Sequence, residues 1–192
     1  ESYFNKIKYF KSNFKKILTN KENRVILGIG IAVILTLSYL LIPTFYSKDA
    51  IQAQIKSQLL KNYNIDVKFN EKINYGLLPK PHFSAKNLSI LRGNKKIGNT
   101  NNLKAFISIS HFFSLDKIKM KNLVFNKTDF NINFDDYSFF LNLLKIPPNE
   151  NHILFRKSNI FFKSKDDEVL FINKINSSKF YFDSNNLQNI LS

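Results

Sequence analysis

The chain has 192 residues, 29 Lys and Arg against 14 Asp and Glu, a formal charge of +15, 44% hydrophobic content and no Cys. Without Cys, disulfide stapling, thiolate catalysis and zinc-thiolate ligation are excluded, so stability must come from apolar burial and backbone pairing. A basic balance of this size ordinarily raises nucleic acid as a partner. Here the excess is spread along a chain rich in Lys, Asn, Ile and Phe together, which AT-rich codon usage produces without any function behind it, and no nucleic-acid partner is expected.

Residues 3–18 place Phe4, Ile7, Phe10, Phe14, Ile17 and Leu18 close to helical spacing, with Lys6, Lys8, Lys15 and Lys16 mostly elsewhere. That is the pattern of a basic amphipathic helix lying on a membrane surface; the alternative is a disordered polybasic leader. Residues 25–42 then run for 18 positions without a charge. At about 1.5 Å per residue they cover roughly 27 Å, enough to cross the hydrocarbon layer. A buried core helix would show polar positions on one face, and a cleaved signal peptide would end in small residues. Ile42-Pro43-Thr44-Phe45-Tyr46 is bulky, so a retained transmembrane helix over 25–43 is expected. Its Gly28 and Ala32 form a small-xxx-small pair, which alone does not establish a dimer.

Lys6, Lys8, Lys11, Lys15, Lys16, Lys21 and Arg24 precede the span against Glu1 and Glu22, whereas Lys48 and Asp49 nearly cancel after it. Cationic flanks stay on the cytoplasmic side and favour anionic lipid. The expected arrangement is a cytoplasmic tail over 1–24 whose seven cations contact the membrane surface, a single-pass span over 25–43, and an exported domain over 44–192.

Ser47 can cap a helix starting at Lys48, in which Ile51, Ile55 and Leu59 recur at intervals of four and Asn62 and Asn64 suit termination. From residue 65 the period changes to two, with strands expected over 65–69, 72–78 and 82–91, separated by an edge or crossover link at Pro79 and Pro81 and followed by a turn at 92–95. Further strands are expected over 105–110, 117–126 and 128–135. A short helix over 136–145 ends at Pro147-Pro148, and strands resume over 153–163, 169–173 and 179–183, with an acidic turn at 165–168. The fold class is therefore mainly β with flanking helices (α+β), built on an antiparallel sheet. In 129–135, Phe130, Ile132 and Phe134 alternate with Asp129, Asn131, Asn133 and Asp135, giving one apolar and one polar face. Lys86-Asn87-Leu88-Ser89-Ile90, Lys121-Asn122-Leu123-Val124-Phe125 and Ser158-Asn159-Ile160-Phe161-Phe162 echo one another and suggest repeating antiparallel units.

His82, His111 and His152 lie far apart in sequence, and none has a carboxylate or second His at metal-ligand spacing. No phosphate-binding glycine loop or nucleophile elbow is present, and the acidic cluster at 166–168 lacks the spacing of a calcium loop. No metal, no cofactor and no enzymatic activity are expected.

The order of parts resembles the N-terminal region of the AsmA-like proteins. The resemblance lies in a lone N-terminal anchor, an amphipathic helix, a strand such as Ile65-Asp66-Val67-Lys68-Phe69, a link such as Leu78-Pro79-Lys80-Pro81, and the succession of strands from Ile107 to Phe134. It covers roughly residues 25 to 175. Asn62 or Asn64 stands where the family often has Gly, and Leu77 or Leu78 where an aromatic residue usually precedes the Pro. The family's members are longer, so the chain is expected to hold the membrane-proximal start of the fold. The resemblance implies an inner-membrane protein with a periplasmic β-sheet curled into an open groove, in outer-membrane biogenesis and phospholipid movement. Phe130, Ile132 and Phe134 would line that groove, with Ile107, Ile109, Phe125, Ile160 and Phe162; the competing expectation is that these side chains form a closed core. The alternative function is a bitopic scaffold or assembly factor that recruits other envelope proteins through sheet edges without carrying lipid. A sensor domain is a weaker third, since no small-molecule site shows in the sequence.

Overall fold

A computed structural model of the protein describes residues 21–63, 65–136, 138, 152–183 and 188–191. The amphipathic helix expected over 3–18, with Lys6, Lys8, Lys11, Lys15 and Lys16, lies outside the described residues, as does nearly all of the helix expected over 136–145. The chain divides between Leu41 and Ile42 into two compact units.

The first unit holds helix α1 (Lys21–Leu41), none of whose residues is buried. The stretch Lys21–Phe45, which contains an 18-residue window of mean hydropathy 2.7, is long and apolar enough to span a membrane. Within it Thr36 Oγ1 donates to the Ala32 carbonyl at 2.8 Å. A hydroxyl satisfied within its own helix is the arrangement hydrocarbon demands.

The second unit opens with a 3-10 turn (Ile42–Phe45) and helix α2 (Lys48–Tyr63). Ser47 caps α2: its Oγ accepts the Ala50 N–H at 3.1 Å. Ile51, Ile55 and Leu59 are all buried and form the stripe that their spacing predicts. Around Ile51 and Ile55 the stripe meets Phe83, Ile107, Ile118 and Met120. Three glutamines fasten the helix flanks. Gln52 Nε2 donates to the Glu71 carbonyl at 2.8 Å, and Gln54 Nε2 to the Asp116 carbonyl at 3.1 Å. Gln58 donates to the Ile118 carbonyl at 2.7 Å while its Oε1 accepts the Met120 N–H at 3.0 Å.

Beneath lies an eight-stranded sheet. Strands β1 (Asp66–Phe69) and β2 (Asn74–Gly76) share one edge of β3 (His82–Arg92), and β4 (Lys95–Ile107), β5 (Met120–Asn133), β6 (His152–Lys163), β7 (Val169–Asp183) and β8 (Gln188–Leu191) follow in order. Every pairing is antiparallel except β5 with β6, which is parallel. The fully antiparallel sheet expected from the pattern is corrected at that one seam. The chain leaves the far end of β5 through a 3-10 turn (Phe134–Asp136) and re-enters at the near end of β6, a return that only a crossover allows.

Strands β4, β5 and β7 are longer than the pattern indicates, and β2 is shorter than the strand expected over 72–78. The two expected over 117–126 and 128–135 are one strand of 14 residues, and those over 169–173 and 179–183 belong to one strand of 15. Strand β4 starts at Lys95 and takes in Asn99, Asn101 and Asn102. Asn is a poor strand former, but neighbours on both sides bind its backbone and override that preference.

A crease across the sheet explains why β5 reads as two strands. Asn87, Lys127 and Lys157 have φ of 51°, 54° and 49°. They stand at one level, because the residues just before them pair in the chain Lys86, Asn102, Asn126, Arg156. Each left-handed step resets the alternation. Buried positions are Phe83 and Ala85 before the step but Leu88 and Ile90 after it, and Leu123 and Phe125 before but Thr128 and Ile132 after. A regular strand would have sent the second set to the other face.

The backbone groups the crease disturbs are met by buried hydroxyls. Thr128 N–H donates to Ser158 Oγ at 3.3 Å, Ser158 Oγ donates to the Arg156 carbonyl at 3.1 Å, and Thr128 Oγ1 donates to Thr100 Oγ1 at 2.7 Å. The sequence echo does not mark this repeat: its first copy crosses the crease, its second lies before it and its third after it. Lys157→Val is expected to cost about 1–2 kcal/mol and Lys157→Asn almost nothing, since a β-branched side chain resists the left-handed region that Asn tolerates. Denaturant unfolding of the two variants checks this; equal costs would mean that the step is not held.

Candidate functional site

Beyond the crease the apolar side of β5, β6 and β7 forms two registered rows. Ile132 pairs with Phe162, and Phe162 with Phe171; Phe130 pairs with Ile160, and Ile160 with Asn173. Phe162 and Phe171 stack with centroids 4.1 Å apart and planes at 16°. Phe130 meets Phe155 edge-on at 5.6 Å, and Phe155 lies stacked against Phe125 at 5.5 Å. Ring contacts thus join Phe125 at the sheet centre to Phe130, and the adjoining row of Ile132, Phe162 and Phe171 carries the apolar run on to β7.

Burial falls along that run. Phe125 and Ile132 are buried, Phe130, Ile160 and Phe162 are half-buried, and Phe171 is 54% exposed. Its neighbours Val169, Leu170 and Ile172 are also exposed, so both faces of this end of β7 present apolar side chains. Contiguous exposed apolar surface of this kind marks a place where something else binds.

The structure therefore brings together Phe125, Phe130, Ile132, Ile160 and Phe162 of the eight side chains picked as groove candidates. Ile107 is buried elsewhere, beneath α2. Ile109 is not in a strand: β4 ends at Ile107, Ser108 N–H turns back to the Lys119 carbonyl at 2.9 Å, and Ile109 is exposed in the bend. Phe134 falls in the 3-10 turn after β5, exposed, with Lys165 Nζ 5.2 Å from its ring centroid. Both were placed by extending a period of two past the point where the backbone turns. Phe155 and Phe171 also lie on this side, though the sequence pattern does not mark them. Phe155 lies one crease away from Ile160 and Phe162, and a strict alternation assigns it to the opposite face.

The polar side of the same strands is tied by Asn159 Nδ2 donating to Asp129 Oδ1 and Asn133 Nδ2 donating to Asp167 Oδ1, each at 2.7 Å. Among the described residues, no group of three His, Cys, Asp or Glu gathers as metal ligands. His82 is buried with Nδ1 2.8 Å from the Lys80 carbonyl, and His111 is exposed in a turn. Burial, with the neighbouring Lys179, pushes the His152 imidazole below its ordinary value. With aromatic and aliphatic side chains along its length, the half-open face can hold apolar chains out of water, at about 25 cal/mol for each Å² covered. No family model matches the sequence, and no curated protein matches it.

Proposed function

We propose that this chain is a single-pass inner-membrane protein of AsmA-like type, whose periplasmic β domain binds or conducts phospholipid between membranes along an apolar β groove in outer-membrane biogenesis. The observation that carries the reading is the half-open row Ile132, Phe162 and Phe171, which is buried at Ile132 and reaches exposed Val169 to Ile172 at the other end. A face that served only as a core would be closed along its length. The orientation is supported by the seven cations ahead of the span, with Lys21 and Arg24 in the first turn of α1.

A photo-crosslinking residue at Phe162 or Phe171 in cells is expected to capture phospholipid, and one at Leu103, which is 1% exposed, to capture none. Folded protein with no lipid adduct at either open position overturns the reading. A protein adduct there in place of lipid would favour the scaffold.

A further inference from the structure

The sheet's other face carries a second surface. The row opposite buried Leu103, Leu123 and Ile153 runs Lys104, Val124, Leu154 and Lys179 in register across four strands. The next row sets Lys86 and Arg156 at either side of Asn102 and Asn126, and the crease adds Lys127 and Lys157. Five of these six cations are exposed and Lys104 is half-buried. Among the described residues, Asp129 lies on this face beyond the crease, hydrogen-bonded by Asn159, Asp183 ends β7 past Lys179, and Glu71 accepts from Asn87 Nδ2 at the edge strand's side, so no acid stands within the two rows. The remaining described acids sit on helices, turns, loops and the short edge strand, such as Asp49, Asp66 and Asp116.

We propose that this cationic face docks on the surface of a bilayer bearing anionic phospholipid headgroups. Two features on the same rows select that partner. The density of cations without intervening acid attracts negative headgroups, each cation near such a surface contributing about a fivefold gain in affinity. Half-exposed Val124 and Leu154 stand between the cations, together with half-buried Phe106 two residues from Lys104. Aliphatic side chains framed by Lys and Arg suit the boundary between headgroups and acyl chains, whereas nucleic acid would have phosphates laid against those apolar groups. The inference rests on the membrane-anchored reading in one respect: the span keeps a bilayer within reach, so modest affinity is enough.

The test uses the full chain reconstituted in phosphatidylcholine vesicles and counts the acceptor vesicles it holds. Acceptors containing phosphatidylglycerol are expected to be captured and acceptors of pure phosphatidylcholine to be left free, with capture falling as salt rises. The variant Lys127→Asn, Arg156→Gln, Lys157→Asn keeps residues that tolerate the left-handed backbone and is expected to lose about a hundredfold in capture. Lys86→Gln with Lys104→Gln, away from the crease, is expected to lose about twenty-five-fold, so a folding defect at the crease does not stand in for lost charge.

Capture unaffected by both variants, capture that vanishes only when Lys6, Lys8, Lys15 and Lys16 are neutralised, or preference for single-stranded DNA over phosphatidylglycerol vesicles overturns the proposal. Lipid crosslinking at Phe162 is read on the same samples: adducts lost with capture retained sink the groove alone, and capture lost with adducts retained in the two charge variants supports this face as a separate surface.

Discussion

Phe125→Ala is expected to remove about 3–5 kcal/mol of stability, a large part of the roughly 5–15 kcal/mol that a domain of this size possesses. Phe125 is 1% exposed at the centre of the sheet, with its ring stacked on Phe155, so the lost side chain leaves a cavity that paired strands on either side cannot collapse. Phe162→Ala is expected to cost about 1–2 kcal/mol, because its half-buried ring already meets solvent and gives up chiefly its stacking on Phe171. Denaturant unfolding of the full chain in detergent measures both. Equal losses would make Phe162 a core residue and remove the open end of the apolar run.

Asp136→Ala is expected to cost about 2 kcal/mol. The Asp136 carboxylate is 1% exposed and accepts from Arg92 Nη1 at 2.6 Å and Lys95 Nζ at 2.9 Å, clasping the end of β5 to the β3–β4 turn. A buried ion pair that loses one member usually costs more, but Arg92 and Lys95 are 38% and 50% exposed and can return to water. Burial works to raise the Asp136 pKa, yet the hydrogen bonds and charges of Lys95 and Arg92 outweigh it and hold the carboxyl below its ordinary range. A folded-state pKa below the unfolded one means stability that is present above the unfolded value of about 3.8 and is lost as pH falls through the folded one. Wild type should therefore lose stability in strong acid and Asp136→Ala should lose less; parallel pH profiles would show that the clasp is not ionic.

His152 acts earlier on the same axis. Its lowered pKa leaves the unfolded chain holding the extra proton first, so its share of stability declines as pH falls through about 6.5. Replacing His152 by Gln should flatten that upper part of the profile and leave the lower part.

Helix α2 was legible because its signal is local. Ser47 as cap and Ile51, Ile55 and Leu59 at intervals of four need only their own turn to be recognised, and all four do in the structure what their positions suggest. The strands were legible in kind and not in extent. Period two identifies them, but Asn87, Lys127 and Lys157 break the period; nothing in a Lys announces a left-handed backbone, and an Asn tolerates one without requiring it. The alternation also carried Ile109 and Phe134 past the ends of β4 and β5, where the backbone turns away, and it assigned Phe155, across the crease, to the opposite face.

By itself the sequence determined an apolar run long enough to span a membrane, an amphipathic helix beyond it and a series of half-apolar strands, because hydrophobic periodicity depends only on residues a few positions apart. The tertiary structure decided which way β5 and β6 run relative to each other, where the crease crosses, and which aromatic side chains lie in the open. It also gathered scattered lysines onto one face: Lys86, Lys104, Lys127, Arg156 and Lys179 are far apart along the chain and are brought into adjoining rows by strand register alone. Register is fixed by pairing between distant segments and by the bulges within them, so no local pattern contains it.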